Sequence, residues 1–214
     1  MITSEDLKLS YRSKKLLIQN RLTEFEDLNK SADDKRIFQE LVFCILTAGT
    51  SASMGINVIG EIKDVIHTGN RLEIKKKLKG IYRFYNIRTE YIFNTREFLI
   101  SSYSFKIREL LDSFNNNTDR RDFFALNKNI KGIGFKEASH FLRNIGYKGY
   151  TILDKHIVNS LFELKVINEN KLPTNRKKYL EIENKFKTYA QKNNFNIDEL
   201  DLLIWSEKTG KILK

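Results

Sequence analysis

The most informative segment of the sequence is Leu126-Asn127-Lys128-Asn129-Ile130-Lys131-Gly132-Ile133-Gly134-Phe135-Lys136-Glu137-Ala138-Ser139-His140-Phe141-Leu142. Two glycines bracket one apolar residue, and helical patterns precede and follow them. Glycine permits the positive φ and the close backbone approach that a tight hairpin between two helices requires. The pattern over 126–145 therefore predicts a helix-hairpin-helix in which Ile133 is tucked between the two helices.

This hairpin is a candidate site for a phosphate of the DNA backbone, formed by Lys131, Gly132, Ile133 and Gly134. Backbone N–H groups at the two glycines and at the start of the next helix are expected to point outward, where they and the helix dipole attract an anion. Such contacts hold phosphate and do not read base sequence. Taken alone, this glycine spacing more often marks an ordinary packing corner between helices.

Helical spacing of apolar residues dominates the chain, and sustained alternation of apolar and polar residues is absent, so we predict an all-α protein. A single proline, Pro173, interrupts the 214 residues. Ser31 and Asp34 resemble a capping box before the helix that contains Ile37. Helices in the last third are predicted near 119–128, 136–145, 155–164, 175–193 and 197–206.

The charge of the chain favours a polyanionic partner. Lys and Arg number 38 against 27 Asp and Glu, which gives a net charge of +11. Nucleic acid, an anionic membrane or the ribosome would be attracted to such a surface. Because 41% of the residues are hydrophobic, the chain can bury a sizeable core, which excludes wholesale disorder.

Several classes of protein are excluded. One Cys rules out a disulfide framework and a Cys-based zinc or iron–sulfur cluster, and three scattered His argue against a His-built metal site. The first ten residues carry Glu5 and Asp6 and lack the apolar run of a signal peptide. The longest apolar run, Leu41–Leu46, is far shorter than the ~20 residues that span a bilayer. We therefore expect a cytoplasmic protein with no membrane partner, no cofactor and no metal.

A second motif follows the hairpin. Lys136 lies two residues after Gly134, and Asp154, in Leu153-Asp154-Lys155-His156-Ile157, lies 18 residues after Lys136. This combination of Gly-Ile-Gly-x-Lys with Asp-x-His-Ile resembles the helix-hairpin-helix DNA glycosylase superfamily, in which the Lys marks the bifunctional glycosylase/lyase branch. The chain is similar to the type-2, archaeal-type 8-oxoguanine DNA glycosylases in stretches that keep their expected order. These stretches are residues 44–48, 82–92, 130–146 and 204–214.

The resemblance implies a base-excision repair enzyme, a bifunctional 8-oxoguanine DNA glycosylase and AP lyase. It implies Lys136 and Asp154 as the catalytic residues. The Lys136 amine attacks C1′ and forms a Schiff base with the sugar, which permits β-elimination of the 3′ phosphate. Asp154 stabilises positive charge on the sugar or helps to activate the lysine. Because Asp154 stands where a helix should begin, it is also expected to cap that helix.

The implied partner is double-stranded DNA that contains 8-oxoguanine or an abasic site. The resemblance also implies a monomer from a prokaryote, and more narrowly from an archaeon, located in the cytoplasm at the nucleoid.

Recognition of the base is assigned to three residues. Phe84 and Trp205 are candidates to sandwich the base, because aromatic side chains stack on bases, although core packing is the common use of such residues. The resemblance implies that the terminal carboxylate, on Lys214, accepts a hydrogen bond from N7–H of 8-oxoguanine, where guanine has an acceptor. Glu137 and His140 are expected to serve only the helix dipole and packing.

We expect one glycosylase unit over 1–214, built of two helical lobes with a cleft between them. The central lobe is expected to span about 36–154 and to contain the hairpin, and the second lobe combines about 1–35 with 155–214. Two alternatives stay open: a non-catalytic helix-hairpin-helix module that only grips the DNA backbone, and a glycosylase for another damaged base. The loop Gly49-Thr50-Ser51 has no assigned role.

Removing Lys214, or extending the chain beyond it, is expected to weaken discrimination between 8-oxoguanine and guanine, because the carboxylate that attracts N7–H is lost or displaced. The measurement is the ratio of excision rates on duplexes that carry each base. An unchanged ratio in both variants would discredit the tail as a reader of the base.

Overall fold

The computed structural model describes residues 2–213. Every regular element within them is an α-helix, which confirms the predicted all-α fold. The helices group into two compact units, here called the hairpin unit (Lys30–Phe141) and the terminal unit (residues up to Asn29 and from Leu142 onward). No helix in the described part of the chain is both long and apolar enough to cross a membrane.

Nine of the described helices lie within one of the two units. Those of the hairpin unit are α2 (Asp34–Thr47), α3 (Ala52–Ile62), α4 (Arg71–Leu78), α5 (Tyr85–Tyr103), α6 (Ile107–Asp112) and α7 (Asn117–Leu126). Those of the terminal unit are α9 (Lys155–Glu163), α10 (Arg176–Lys192) and α11 (Ile197–Thr209). The two remaining helices, α1 (Ser4–Ser31) and α8 (Phe135–Asn144), run across the unit boundaries.

Helix α2 forms the centre of the hairpin unit. Every residue of Leu41–Leu46 has 0% exposure, and α3, α5 and α6 contact α2. A helical segment that is apolar on every side, as Leu41–Leu46 is, belongs in a core. The longest apolar run of the sequence is therefore the helix around which this unit packs.

The start of α2 differs from the prediction. The Asp33 side chain accepts the Arg36 N–H at 2.8 Å and caps the helix. The predicted capping pair of Ser31 and Asp34 is wrong, because α1 continues through Ser31 and Asp34 is already helical. The Asp34 carboxylate instead accepts the Arg108 N–H at 2.7 Å, which ties α2 to the start of α6.

The terminal unit is built around α11, which contacts both α9 and α10. All five helices predicted for the last third of the sequence are present, with bounds within three residues of the expected ones. The buried residues of α11 include Leu200, Leu202, Leu203 and Ile204. Apolar periodicity in this region therefore locates its helices well.

The unit boundaries fall after residues 29 and 141, whereas the sequence placed them near 36 and 154. The physical reason lies at the end of α8. The Arg143 guanidinium lies over the Phe25 ring of α1, 5.3 Å from its centroid, so the last turn of α8 belongs with α1. As a result Asp154 is part of the terminal unit, not of the unit that contains the hairpin.

Replacing Gly146 with Ala should destabilise the protein by about 1–3 kcal/mol from backbone strain alone. Gly146 has φ +85°, and an added Cβ would lie 2.5 Å from the carbonyl oxygen of Phe25. The measurement is the free energy of unfolding in urea. The control is Gly60→Ala within α3, where an added Cβ meets nothing within 4 Å and should stabilise by up to about 1 kcal/mol. Equal stabilities of the two variants would contradict this packing.

Candidate active site

The Asp154 carboxylate is held by three donors. One oxygen, Oδ1, accepts the N–H groups of His156 at 2.8 Å and Ile157 at 2.9 Å, which is the N-cap of α9. The other oxygen, Oδ2, accepts the indole N–H of Trp205 at 3.1 Å. The expected capping role is therefore present, and the carboxylate is fixed in one orientation while its side chain stays half-exposed.

The backbone that leads to Asp154 is irregular and buried over residues 151–153. Two side chains of α10, one helical turn apart, bind it. The Tyr179 hydroxyl donates to the Thr151 carbonyl at 2.7 Å, and Glu183 accepts the Thr151 N–H at 3.4 Å and its hydroxyl at 3.3 Å. Buried backbone groups outside regular structure need such partners. The side chains of α10 therefore fix the position of the backbone that leads to Asp154.

Trp205 lies beside Asp154, in the terminal unit, and its ring is partly exposed. This places one predicted base-recognition residue next to one predicted catalytic residue. The chain continues past α11 to Leu213, and the Arg21 side chain donates to the Ile212 carbonyl at 3.5 Å. Lys214, the other base-recognition candidate near this end, lies outside the described residues.

The glycine hairpin adopts the predicted turn. Gly132 has φ +78°, and an added Cβ would lie 2.6 Å from Arg88 Nη1 and 2.7 Å from the Tyr91 ring. Ile133 is buried, as expected for the residue between the glycines. Lys131 is exposed at the tip of the turn. Two features therefore require glycine at position 132: the positive φ of its backbone and the close approach of α5.

Lys136 is in the first turn of α8, two residues after the hairpin, with 28% of its side chain exposed. Its Nζ is 3.7 Å from Glu137 Oε1, and Glu137 Oε2 accepts the Gly134 N–H at 3.2 Å. This contact differs from the expectation that the Gly134 N–H points outward towards phosphate. Glu137 occupies that donor in the same way that an acid in a capping box does.

Phe84 lies in the hairpin unit, immediately before α5, beside the loop that follows α2. An added Cβ on Gly49 of that loop would be 3.9 Å from the Phe84 ring. Arg88, one turn later on α5, donates to the Ala48 carbonyl at 2.6 Å and lies over the Tyr91 ring. The loop, Phe84 and the hairpin are thus linked through one face of α5.

Among residues 2–213, no group of three or more His, Cys, Asp and Glu side chains is arranged to hold a metal ion.

The 8-oxoguanine DNA glycosylase family model (helix-hairpin-helix type) matches residues 18–195. The match includes the hairpin, Lys136 and Asp154. The chain belongs to this family. A curated relative from Methanocaldococcus jannaschii, named 8-oxoguanine DNA glycosylase/AP lyase, is 44% identical over 92% of both chains.

Solved structures of family members have the same fold. The M. jannaschii 8-oxoguanine glycosylase/lyase, crystallised with a 15mer DNA containing 8-oxoguanine, has a TM-score of 0.89 at 41% identity, covering 99% of each chain. The 8-oxoguanine DNA glycosylase of Thermotoga maritima has a TM-score of 0.87 at 32% identity, with 99% of this chain and 98% of that one covered.

Sequence reasoning did not identify several residues that build the site of this family member. Tyr179 and Glu183 are spaced by four on α10, a signal of a shared helix face, but nothing in the sequence says which segment that face binds. Arg88 lies within the family-like stretch 82–92, but the sequence does not show that its side chain binds the Ala48 carbonyl and lies where a Cβ on residue 132 would be.

Asp154→Ala is expected to lower the free energy of unfolding by about 1 kcal/mol, because it removes the cap of α9. Asp154→Asn keeps an oxygen for the His156 and Ile157 N–H groups and loses only the bond from Trp205, so its stability should lie closer to that of the wild type. Urea unfolding of the two variants checks this order. Equal losses in both would show that the cap contributes nothing.

Proposed function

We propose that this protein excises 8-oxoguanine from double-stranded DNA and then cleaves the strand at the resulting abasic site. The observation that carries the proposal is the position of Lys136 in the first turn of α8, directly after the glycine hairpin. An amine at this position, in a chain of the 8-oxoguanine DNA glycosylase family, supports the proposal that Lys136 is a nucleophile.

Lys136 is the proposed nucleophile. Its neutral amine attacks C1′ of the extruded nucleotide, the N-glycosidic bond breaks, and the base leaves. Opening of the sugar gives an imine between Nζ and C1′. The imine acidifies the C2′ hydrogen, and loss of that proton expels the 3′ phosphate by β-elimination. One side chain therefore supports both the glycosylase and the lyase step.

Asp154 is proposed to stabilise the positive charge that develops on the sugar as the base leaves. A fixed carboxylate does this better than a mobile one, because it needs no reorganisation during the reaction. The bonds from His156, Ile157 and Trp205 supply that fixation. Trp205 and Phe84 are proposed to stack on the base, and Lys214 is proposed to take part in its recognition.

The hairpin residues 131–134 are proposed to bind a phosphate of the DNA backbone. The positive net charge of +11 adds attraction to DNA that does not depend on base sequence. Because Glu137 occupies the Gly134 N–H, phosphate binding there requires that Glu137 move or that the remaining N–H groups suffice. We propose a monomer that acts at the prokaryotic nucleoid in the cytoplasm, where its substrate is found.

Borohydride trapping on a duplex that contains 8-oxoguanine tests the proposal. The wild-type protein is expected to give a covalent protein–DNA adduct, because borohydride reduces the imine. Lys136→Gln is expected to give none while retaining DNA binding. Lys128→Gln is the matched control, since Lys128 is an exposed lysine in the turn that follows α7 and its variant should still be trapped.

Each alternative predicts a different result. DNA binding without an adduct or strand cleavage by the wild type would favour a non-catalytic helix-hairpin-helix module. An adduct on a duplex with another damaged base, and none with 8-oxoguanine, would change the substrate. An adduct that persists in Lys136→Gln would overturn the assignment of the nucleophile.

A further inference from the structure

Helix α11 binds the segment around Asp154 at two points. The Asp201 Oδ1 oxygen accepts the Ile152 N–H at 3.0 Å. One turn later, the Trp205 indole N–H donates to the Asp154 carboxylate at 3.1 Å. Residues four apart lie on the same face of a helix. The same face of α11 therefore holds both the backbone before Asp154 and the carboxylate itself.

Asp201 is a buried acid that the proposed reaction does not use. Only 1% of the residue is exposed. Its second oxygen, Oδ2, is 3.3 Å from Nη1 of Arg143, which is also buried. A carboxylate removed from water in this way is costly unless it is paired and hydrogen-bonded. Its two oxygens are therefore assigned to two different partners, Ile152 and Arg143.

We infer that Asp201 is a positioning residue for Asp154: by holding the Ile152 amide, it fixes the backbone from which the catalytic carboxylate projects. The inference rests on the proposed function, in which Asp154 stabilises charge on the sugar. Asp201 acts by holding the Ile152 N–H. This bond also keeps α11 in the position from which Trp205 reaches Asp154. It needs no contact with DNA.

The ionisation of Asp201 provides a way to observe this role. The pKa of Asp201 is raised to about 7, mainly by burial; Arg143 and the Ile152 N–H oppose this rise, and the neighbouring acids Asp154 and Asp198 contribute to it. Acidification through this pKa therefore protonates one oxygen of Asp201. A protonated or amidated side chain has one good acceptor for two donors, so either Ile152 or Arg143 loses its partner.

The first experiment compares Asp201→Asn with Asp198→Asn. Asp198 is a matched control, because it is a buried acid one turn earlier on α11 that accepts the Gly149 N–H at 2.9 Å and does not bind residues 151–154. We expect Asp201→Asn to lower the single-turnover excision rate of 8-oxoguanine by about tenfold or more with DNA affinity unchanged. Asp198→Asn should leave that rate within about twofold, whatever its thermal stability.

The second experiment uses the wild-type protein and so does not depend on whether the variant folds. The chain contains one Trp, so a protein labelled with ¹⁵N in tryptophan has a single indole signal that reports the bond from Trp205 to Asp154. That signal should shift with pH around a midpoint near 7. The titration is repeated in His156→Gln to remove the neighbouring imidazole, and in Asp201→Asn, where the shift should disappear.

The outcomes separate the two proposals. An active wild type with an unchanged excision rate in Asp201→Asn, or with an indole signal that does not respond to pH near 7, overturns the positioning role alone. Equal rate losses in Asp201→Asn and Asp198→Asn also overturn it, because they indicate general destabilisation. A wild type that does not excise 8-oxoguanine overturns the proposed function and this inference together.

Discussion

The short buried backbone of residues 151–153, which leads into Asp154, is the constraint on which the site of the terminal unit depends. It belongs to no helix, so its N–H and C=O groups must find side-chain partners in the interior. Helix α10 supplies Tyr179 and Glu183, and α11 supplies Asp201. Two helices that pack together thus fix the point at which α9 begins. Asp154 caps α9 at that point, and its position follows from the packing of the helices behind it.

A comparable constraint acts in the hairpin unit. Gly132 has a positive φ and leaves no room for a Cβ beside Arg88 and Tyr91. The turn is therefore pressed against α5, and the first turn of α8, with Lys136, follows directly from it. Glu137 then occupies the Gly134 N–H and approaches the Lys136 amine. The proposed nucleophile therefore follows a turn that is packed closely against α5.

The sequence predicted the all-α class, the hairpin and the helices of the last third, because apolar periodicity and glycine chemistry are local signals. The prediction was wrong at the start of α2, where several neighbouring residues could cap the helix. Asp33, not Ser31 or Asp34, caps α2, since several residues in a row can cap and the length of α1 decides among them. The cap that Asp154 forms was predictable, but the distant contacts were not, because Trp205, which binds Asp154, and Asp201, which binds Ile152, lie some fifty residues away along the chain. Only the folded chain brings α10 and α11 against residues 151–154.

A crystal structure of the borohydride-trapped complex with DNA that contained 8-oxoguanine would test the proposed mechanism directly. If the mechanism is correct, the structure will show a covalent bond between Lys136 Nζ and C1′ of the damaged nucleotide, with the Asp154 carboxylate facing the sugar and still bound by Trp205 and the start of α9. A bond from another lysine, or an Asp154 carboxylate turned away from the sugar, would contradict it.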